Sequence, residues 1–195
     1  MSAVAASAVE AGERVRLPLL ARLHERIAAR GRVCWADLGR AQAGRLARLS
    51  RDRARIFVFD LPALRAGGGT WTRLDRAGLP APDEAVQAFL GWDLLNYMTA
   101  GELGELAASM AAHADSGCRL HALIQYSSKT MPQWPGAHSL DENFALQPAD
   151  PGEAMPAPRY SPKALEKALP QWRVESTMLL NNGMQEFLFA LRAAD

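Results

Sequence analysis

Continuous apolar runs alternate along the chain with segments in which apolar residues recur every three or four positions. Val33–Ala36 and Ile56–Phe59 are two such runs, and they end at Asp37 and Asp60. Runs of this kind are typical of parallel strands that are buried on both faces. The segments between them have the spacing of helices that cover a sheet. The pattern therefore predicts an α/β fold.

The predicted helices are marked by their first and last residues as well as by spacing. Pro18 suits the first turn of a helix that ends at Gly31. Thr99 and Glu102 form a capping box for a second helix, which we expect to end at Gly117. Shorter helices are predicted over Arg45–Arg53, with a basic outer face, and after Ser161.

Further strands follow from apolar runs bounded by turn residues. The dipeptide Asn182-Gly183 is typical of a tight hairpin, so the last two strands should be antiparallel neighbours. The segment Val86–Trp92 also has helical spacing, but we favour a strand there because a helix is expected next. The predicted strands are Thr70–Thr72 at an edge, Val86–Trp92, Cys118–Tyr126, Trp172–Met178 and Gln185–Leu191.

Composition narrows the class of protein without naming a function. The chain has 195 residues, 49% of them hydrophobic, and a net charge of +1. The length and the hydrophobic content predict one domain, which we place over residues 14–195 after a flexible start over residues 1–13. The small net charge argues against nucleic acid or an anionic membrane as partner. Cys34 and Cys118 lie in apolar runs, which favours buried thiols and a cytoplasmic location. No signal peptide or apolar span is apparent.

Residues 127–160 form a long segment that contains six prolines. Segments of this length in a small domain are usually functional, so we expect a lid over one end of the sheet. Trp134 within it should either fold back onto the body or cover a ligand or partner. The long segment and the short middle of the chain make a homodimer plausible.

The turn after the first strand, Leu38–Gly44, has the position of a phosphate- or cofactor-binding loop. Such loops use several glycines, because a Cβ would hold the ligand away from the backbone. Gly39 is present, but Ala41 and Ala43 stand where further glycines are expected. The turn therefore supports the fold more strongly than it supports a ligand.

The order of these elements resembles that of the class I S-adenosylmethionine (SAM)-dependent methyltransferases over Arg32–Leu191. Asp37-Leu38-Gly39 is similar to the start of the first motif of that family, and Asp60 matches the acid that ends its second strand. Leu90–Met98 resembles its fourth-strand motif, and Asn181–Phe187 resembles the terminal hairpin of one bacterial branch. The resemblance implies a three-layer sandwich around a mixed seven-stranded sheet.

The resemblance also implies a set of site residues. SAM would lie over Gly39, with Asp60 on its ribose and with Asn96 or Tyr97 near the transferred methyl group. The residues implied in cofactor binding are Asp37, Gly39, Asp60, Trp92 and Asp93. Trp92 fits the core better than a ligand site, and Tyr97 fits either a stacking role or packing against the next helix.

Departures from the family pattern keep two hypotheses open. Besides the missing glycines, Gln87 replaces an acid of the fourth strand. The chain is either a SAM-dependent methyltransferase with an unknown acceptor or an inactive relative that binds a protein partner. Another nucleotide-binding enzyme, such as a dehydrogenase, is a third hypothesis, which the hairpin ending disfavours. No metal-ligand spacing is present. His121 is expected to be structural, and Glu186 to be capped or exposed at an edge rather than catalytic.

Overall fold

The computed structural model describes residues 14–31, 33–74, 85–147 and 152–193. The expected flexible start over residues 1–13 lies outside these ranges. The helices are α1 (Pro18–Ala28), α2 (Ala43–Leu49), α3 (Leu61–Ala66), α4 (Ala100–Ala111) and α5 (Pro162–Ala168), with short 3-10 helices at Ser50–Asp52 and Leu94–Tyr97. The strands are β1 (Val15–Arg16), β2 (Val33–Asp37), β3 (Ala54–Val58), β4 (Val86–Trp92), β5 (Ala114–Gln125), β6 (Thr130–Pro132), β7 (Ser139–Leu140), β8 (Ala145–Gln147), β9 (Ala154–Pro156), β10 (Trp172–Leu179) and β11 (Met184–Leu191).

The main sheet has the order β10-β11-β5-β4-β2-β3. Its strands β3, β2, β4 and β5 are parallel, whereas β11 pairs antiparallel with β5 and β10 pairs antiparallel with β11. The predicted mixed sheet with a terminal hairpin is thus confirmed. Its hairpin turns at Gly183, whose φ of +80° is readily adopted by glycine.

Helices cover both faces of this sheet, because successive side chains of a buried strand point to opposite sides. In β2, Cys34 and Ala36 pack with α4 and α5, whereas Val33 and Trp35 pack with α1 and α2. Both faces of the strand are therefore buried, as the unbroken apolar run predicts. The result is the expected three-layer α/β/α arrangement.

Glu186 connects the sheet to the first helix. Its carboxylate accepts hydrogen bonds from the backbone N–H groups of Leu19 and Leu20 at 3.0 and 2.8 Å, and it lies 2.9 Å from His121 Nε2. Glu186 and His121 are fully buried. Its carboxylate thus satisfies N–H groups at the start of α1 that have no partner within the helix. Both side chains make internal contacts, and Glu186 is buried rather than exposed at an edge.

One predicted strand is absent, and one helix–strand boundary is misplaced. Thr70–Thr72 forms no strand, and the indole N–H of Trp71 donates to Glu102 on α4 at 3.1 Å instead. The part of the sheet that the structure describes therefore has six strands rather than seven. Helix α4 ends at Ala111, and Gly117 lies inside β5, which begins earlier than the apolar run suggested.

The segment 127–160 contains short strands, and its described residues pack on the rest of the fold. Strand β6 pairs with β9, while β8 pairs with both β1 and β7. No helix among the described residues is long and apolar enough to cross a membrane.

Candidate functional site

The candidate site lies where β2 and β4 end side by side. Asp37 is the last residue of β2, and Trp92 is the last residue of β4. In an open α/β sheet, ligands usually bind at this carboxyl edge of the strands. Asp37 and Trp92, which the resemblance implies in cofactor binding, both lie at this edge.

Asp37 is fully buried and surrounded by donors. Its Oδ1 accepts hydrogen bonds from the Gly39 backbone N–H at 3.0 Å and from the Trp92 indole N–H at 2.8 Å. Its Oδ2 lies 2.7 Å from Nε of Arg45. Burial raises the pKa of the Asp37 carboxyl, and Arg45, Trp92 and Gly39 act in the opposite direction.

Arg45 is the least expected member of this cluster. The sequence placed it on the exposed basic face of α2, but its side chain is fully buried. Its guanidinium donates to the backbone carbonyls of His138, at 3.0 Å, and of Arg40, and it lies 4.4 Å from the centre of the Trp92 ring. Burial lowers the pKa of Arg45, and the charge of Asp37 opposes that shift.

Trp92 is held in a backbone conformation that bulky residues rarely adopt, with a φ of +47°. Such a conformation costs about 1–2 kcal/mol, so the contacts of the indole must offset it. A Cβ added to Gly39 would lie 2.9 Å from Trp92 Cδ1. Gly39 is therefore required by the approach of the Trp92 ring within this fold.

Asp93 faces the long segment. His138 Nε2 lies 3.0 Å from its Oδ1, and the Gly136 backbone N–H donates to its Oδ2 at 2.9 Å. Asp93 is 6% exposed, so this contact is closed to solvent. Both carboxylate oxygens thus hold residues 136–138 against the end of β4.

Tyr97 and Asn96 also make internal contacts. The Tyr97 hydroxyl lies 3.0 Å from the Pro132 carbonyl and 2.9 Å from that of Trp134, and burial together with the charge of Asp93 raises its pKa. Asn96 Nδ2 donates to the carbonyls of Asp93 and Leu123 at 2.8 and 2.9 Å. The Asn96 Oδ1 accepts from the Gln125 N–H at 2.8 Å. Asn96 therefore ties β4 to β5.

Asp60 lies apart from this cluster in its contacts. It caps α3, with its side chain accepting a hydrogen bond from the Ala63 N–H at 3.1 Å. Its backbone is left-handed, with a φ of +42°. Trp134, expected to fold back or to cover a ligand, keeps 48% of its surface exposed and contacts Tyr97 through its carbonyl.

No family model matches the chain, and no curated protein matches it. Among solved structures, it resembles the PH0226 protein from Pyrococcus horikoshii OT3, at 10% identity and a TM-score of 0.55, over 89% of this chain and 88% of that one. It also resembles the 1,6-didemethyltoxoflavin-N1-methyltransferase of Burkholderia thailandensis, solved with bound S-adenosylhomocysteine, at 15% identity and a TM-score of 0.52, over 91% and 79%.

The chain has the fold of the class I SAM-dependent methyltransferases. It also resembles the pyocyanin biosynthetic protein PhzM, with 13% identity and a TM-score of 0.48, over 87% of this chain. The chain spans about half of that protein, namely 54% of its length.

The residues present do not fit SAM in this conformation. The resemblance places the cofactor over Gly39, where the Arg45 guanidinium and the Trp92 ring now lie. Asp37 is already neutralised by Arg45, and Asp60 is engaged as a helix cap. Among the residues that the structure describes, no group of three His, Cys, Asp or Glu could hold a metal ion.

Sequence analysis missed three contributors to this cluster, namely Arg45, Gly136 and His138. The arginines of the segment Arg45–Arg53 predict a basic outer face, and that prediction is wrong for Arg45. The spacing of four between Arg45 and Leu49 places both on one helix face, and both are buried. That spacing could have revealed Arg45, but no sequence pattern points to the contacts of residues 136–138.

Proposed function

We propose that this chain is an inactive methyltransferase-fold protein that does not use SAM and acts as a binding or regulatory scaffold. The observation that supports the proposal is the buried Arg45 side chain, paired with Asp37 and stacked on Trp92 over Gly39. It occupies the region that a cofactor would need.

To reach Gly39, SAM would have to displace the Arg45 side chain from Asp37. Removing one partner of a buried ion pair costs about 3–5 kcal/mol, because the other charge is left without compensation. A penalty of that size weakens binding by roughly 10²–10⁴-fold. A cofactor that would bind at micromolar concentration in an open site would then need about millimolar concentration here.

The contacts of the candidate catalytic side chains also support an inactive protein. Both amide protons of Asn96 are donated to backbone carbonyls, and the Tyr97 hydroxyl lies against two carbonyls of the long segment. Neither group is presented to a substrate. These contacts support a structural role for Asn96 and Tyr97.

The test is calorimetric titration of SAM, and separately of S-adenosylhomocysteine, into the folded protein. We expect only weak binding, with a dissociation constant of about 1 mM or higher. Micromolar binding that is lost in Asp60→Ala would overturn the proposal, because the altered turn would then still hold a cofactor. Circular dichroism of each sample shows that the protein is folded, so that a missing binding signal is not due to unfolding.

A second candidate is SAM-dependent methyl transfer to a small-molecule or protein acceptor. The strained backbone of Trp92 favours it, because such strain is concentrated at functional sites. This activity requires Arg45 to leave Asp37 and residues 136–138 to leave Asp93. A positive titration would select this candidate, and a search for acceptors would follow.

The proposal also includes a cytoplasmic location. Cys34 and Cys118 are buried and are not joined in a disulfide. Reduced thiols are typical of proteins in a reducing compartment.

A further inference from the structure

The main sheet has two edge strands, β3 and β10, and they differ in how they meet solvent. An edge strand presents a row of unpaired N–H and C=O groups, which can pair with another chain. Native proteins blunt such edges with bulges, charges or covering segments. Whether each edge strand has these protective features therefore decides how readily it can pair with another chain.

Strand β10 has two of them. Its register with β11 shifts between Val174 and Ser176, which marks a β-bulge or irregularity. Glu175, at the shift, forms ion pairs with Arg26 and Arg119. An irregular backbone with a paired charge is a poor template for a further strand.

Strand β3 has no bulge, and its one charged residue is Arg55, whose guanidinium lies 4.9 Å from the centre of the Phe57 ring. Its pairing with β2 is regular from Ala54 to Val58, and in the described residues no other strand pairs with it. No residue of β3 is fully buried, although every residue of β2 is. Val58 is 37% exposed within the apolar run Ile56–Phe59.

The direction of one hydrogen bond shows which groups of β3 face outward. The Phe59 N–H donates to the Asp37 carbonyl, in the direction of β2, at 2.8 Å. Because backbone polar groups alternate sides along a strand, those of Phe57 also point to β2, and those of Ile56 and Val58 point to the open side. Among the described residues no strand pairs with these groups, so two donors and two acceptors are available there.

We propose that β3 pairs antiparallel with β3 of a second copy of this chain, about a two-fold axis at Phe57. This register places Ile56 opposite Val58 of the second copy, so that the outward groups of both form hydrogen bonds. It also places the two Phe57 side chains opposite each other on one face. Two-fold pairing of identical strands is self-complementary, as closed homodimers require.

The charges at the two ends of the strand support a second copy as the occupant. Arg53 and Arg55 lie at the beginning of β3, and Asp60 follows its end. Antiparallel pairing brings the basic end of one strand beside the acidic end of the other, twice by symmetry. Parallel pairing would instead place like charges together.

The contact is small, so the dimer should be weak. Five-residue strands bury less surface than the roughly 1,200–2,000 Å² of a stable interface. We expect monomers and dimers to exchange at tens of micromolar protein. The inference does not depend on the proposed function, because neither Arg45 nor the cofactor region takes part.

Sedimentation equilibrium of the full chain tests the proposal. We expect a dimer whose dissociation constant rises about tenfold or more in Val58→Lys, because an extended charge then lies on the paired edge. Leu179→Lys is the matched control, since Leu179 is 61% exposed on the other edge strand. It should leave the dimer unchanged. A monomer at about 500 µM, a dimer weakened only by Leu179→Lys, or a dimer insensitive to both variants would overturn the proposal.

Cysteine cross-linking tests the register. Residues opposite each other in a non-hydrogen-bonded antiparallel pair have Cα atoms about 4.5 Å apart, within the range of a disulfide. Phe57→Cys should therefore form a covalent dimer under mild oxidation, whereas Val58→Cys should not. Cross-linking of Val58→Cys alone, or of neither variant in a sample that sediments as a dimer, would reject the proposed register.

Discussion

Asp37 ends β2 and Asp60 follows the end of the neighbouring parallel strand β3, yet their surroundings differ completely. Asp37 is fully buried between Arg45, Trp92 and the Gly39 N–H. Asp60 is half-buried and accepts one hydrogen bond from the helix that it begins. One acid thus holds the centre of the candidate site, and the other holds the start of a short helix.

The difference shows that an acid at a strand end does not by itself indicate a ligand. Asp37 has its counter-charge on α2 in the same chain, and that charge comes from a residue eight positions further on. A protein that supplies both charges itself has no electrostatic need for a cationic cofactor at this point. Substitutions at Arg45, Trp92 and Asp60 test this difference between the two acids.

The largest effect is expected from Arg45→Met, which keeps much of the side-chain volume but removes the charge. Asp37 then loses its counter-charge in a buried site, and the free energy of unfolding should fall by about 3–5 kcal/mol. Urea denaturation monitored by tryptophan fluorescence measures this change. Arg48→Met is the control on the same helix, because Arg48 contacts the Glu142 carbonyl and the Phe144 ring nearer the surface.

A double variant separates the ion pair from general packing. Asp37→Asn combined with Arg45→Met removes both charges, so the combined loss should be smaller than the sum of the two single losses. If the two single losses added strictly, or if Arg45→Met alone lowered the free energy of unfolding by less than about 1 kcal/mol, the ion pair would not stabilise the fold beyond ordinary packing.

The fold was largely predictable, because it depends on local patterns that tertiary contacts reinforce. Strand β4 occupies Val86–Trp92 as predicted, and the Thr99 capping box begins α4. The hairpin follows from Asn182-Gly183 and two apolar strands. In each case the residues that define the element lie within the element.

The candidate site was less predictable, because its key contacts join distant parts of the chain. Arg45 bonds to the His138 carbonyl 93 positions away, and Asp93 contacts Gly136 across 43 positions. The sequence indicates a turn at Gly39, but it does not show that Trp92 fills the space above it. The failed edge strand at Thr70–Thr72 has the same cause, since Trp71 finds its partner on α4.

A middle-sized effect is expected from Trp92→Phe. The ring remains for Arg45 to stack on, but Asp37 loses the indole N–H as a donor. Hydrogen bonds to charged groups contribute about 1.5–3 kcal/mol, so a loss in that range is expected. Trp172→Phe is the matched control. The Trp172 indole is also fully buried, but its N–H donates to a neutral group, the Ala107 carbonyl, at 3.3 Å. Equal losses in the two variants would contradict a charged Asp37 as acceptor.

The smallest effects are expected at Asp60, and their order distinguishes a helix cap from a ligand site. Asp60→Ala should lower the free energy of unfolding by about 1–2 kcal/mol, because it removes the cap and leaves alanine in a left-handed backbone. Asp60→Asn and Asp60→Gly should change it by only a few tenths, since asparagine also caps helices and glycine tolerates a positive φ. Ser161→Ala provides the comparison, because Ser161 caps α5 with an ordinary φ of −76°, and only the loss of the cap is expected there. If Asp60→Ala instead raised the stability while Ser161→Ala lowered it, Asp60 would be a strained residue kept for a purpose other than the fold, and its role in binding would have to be reopened.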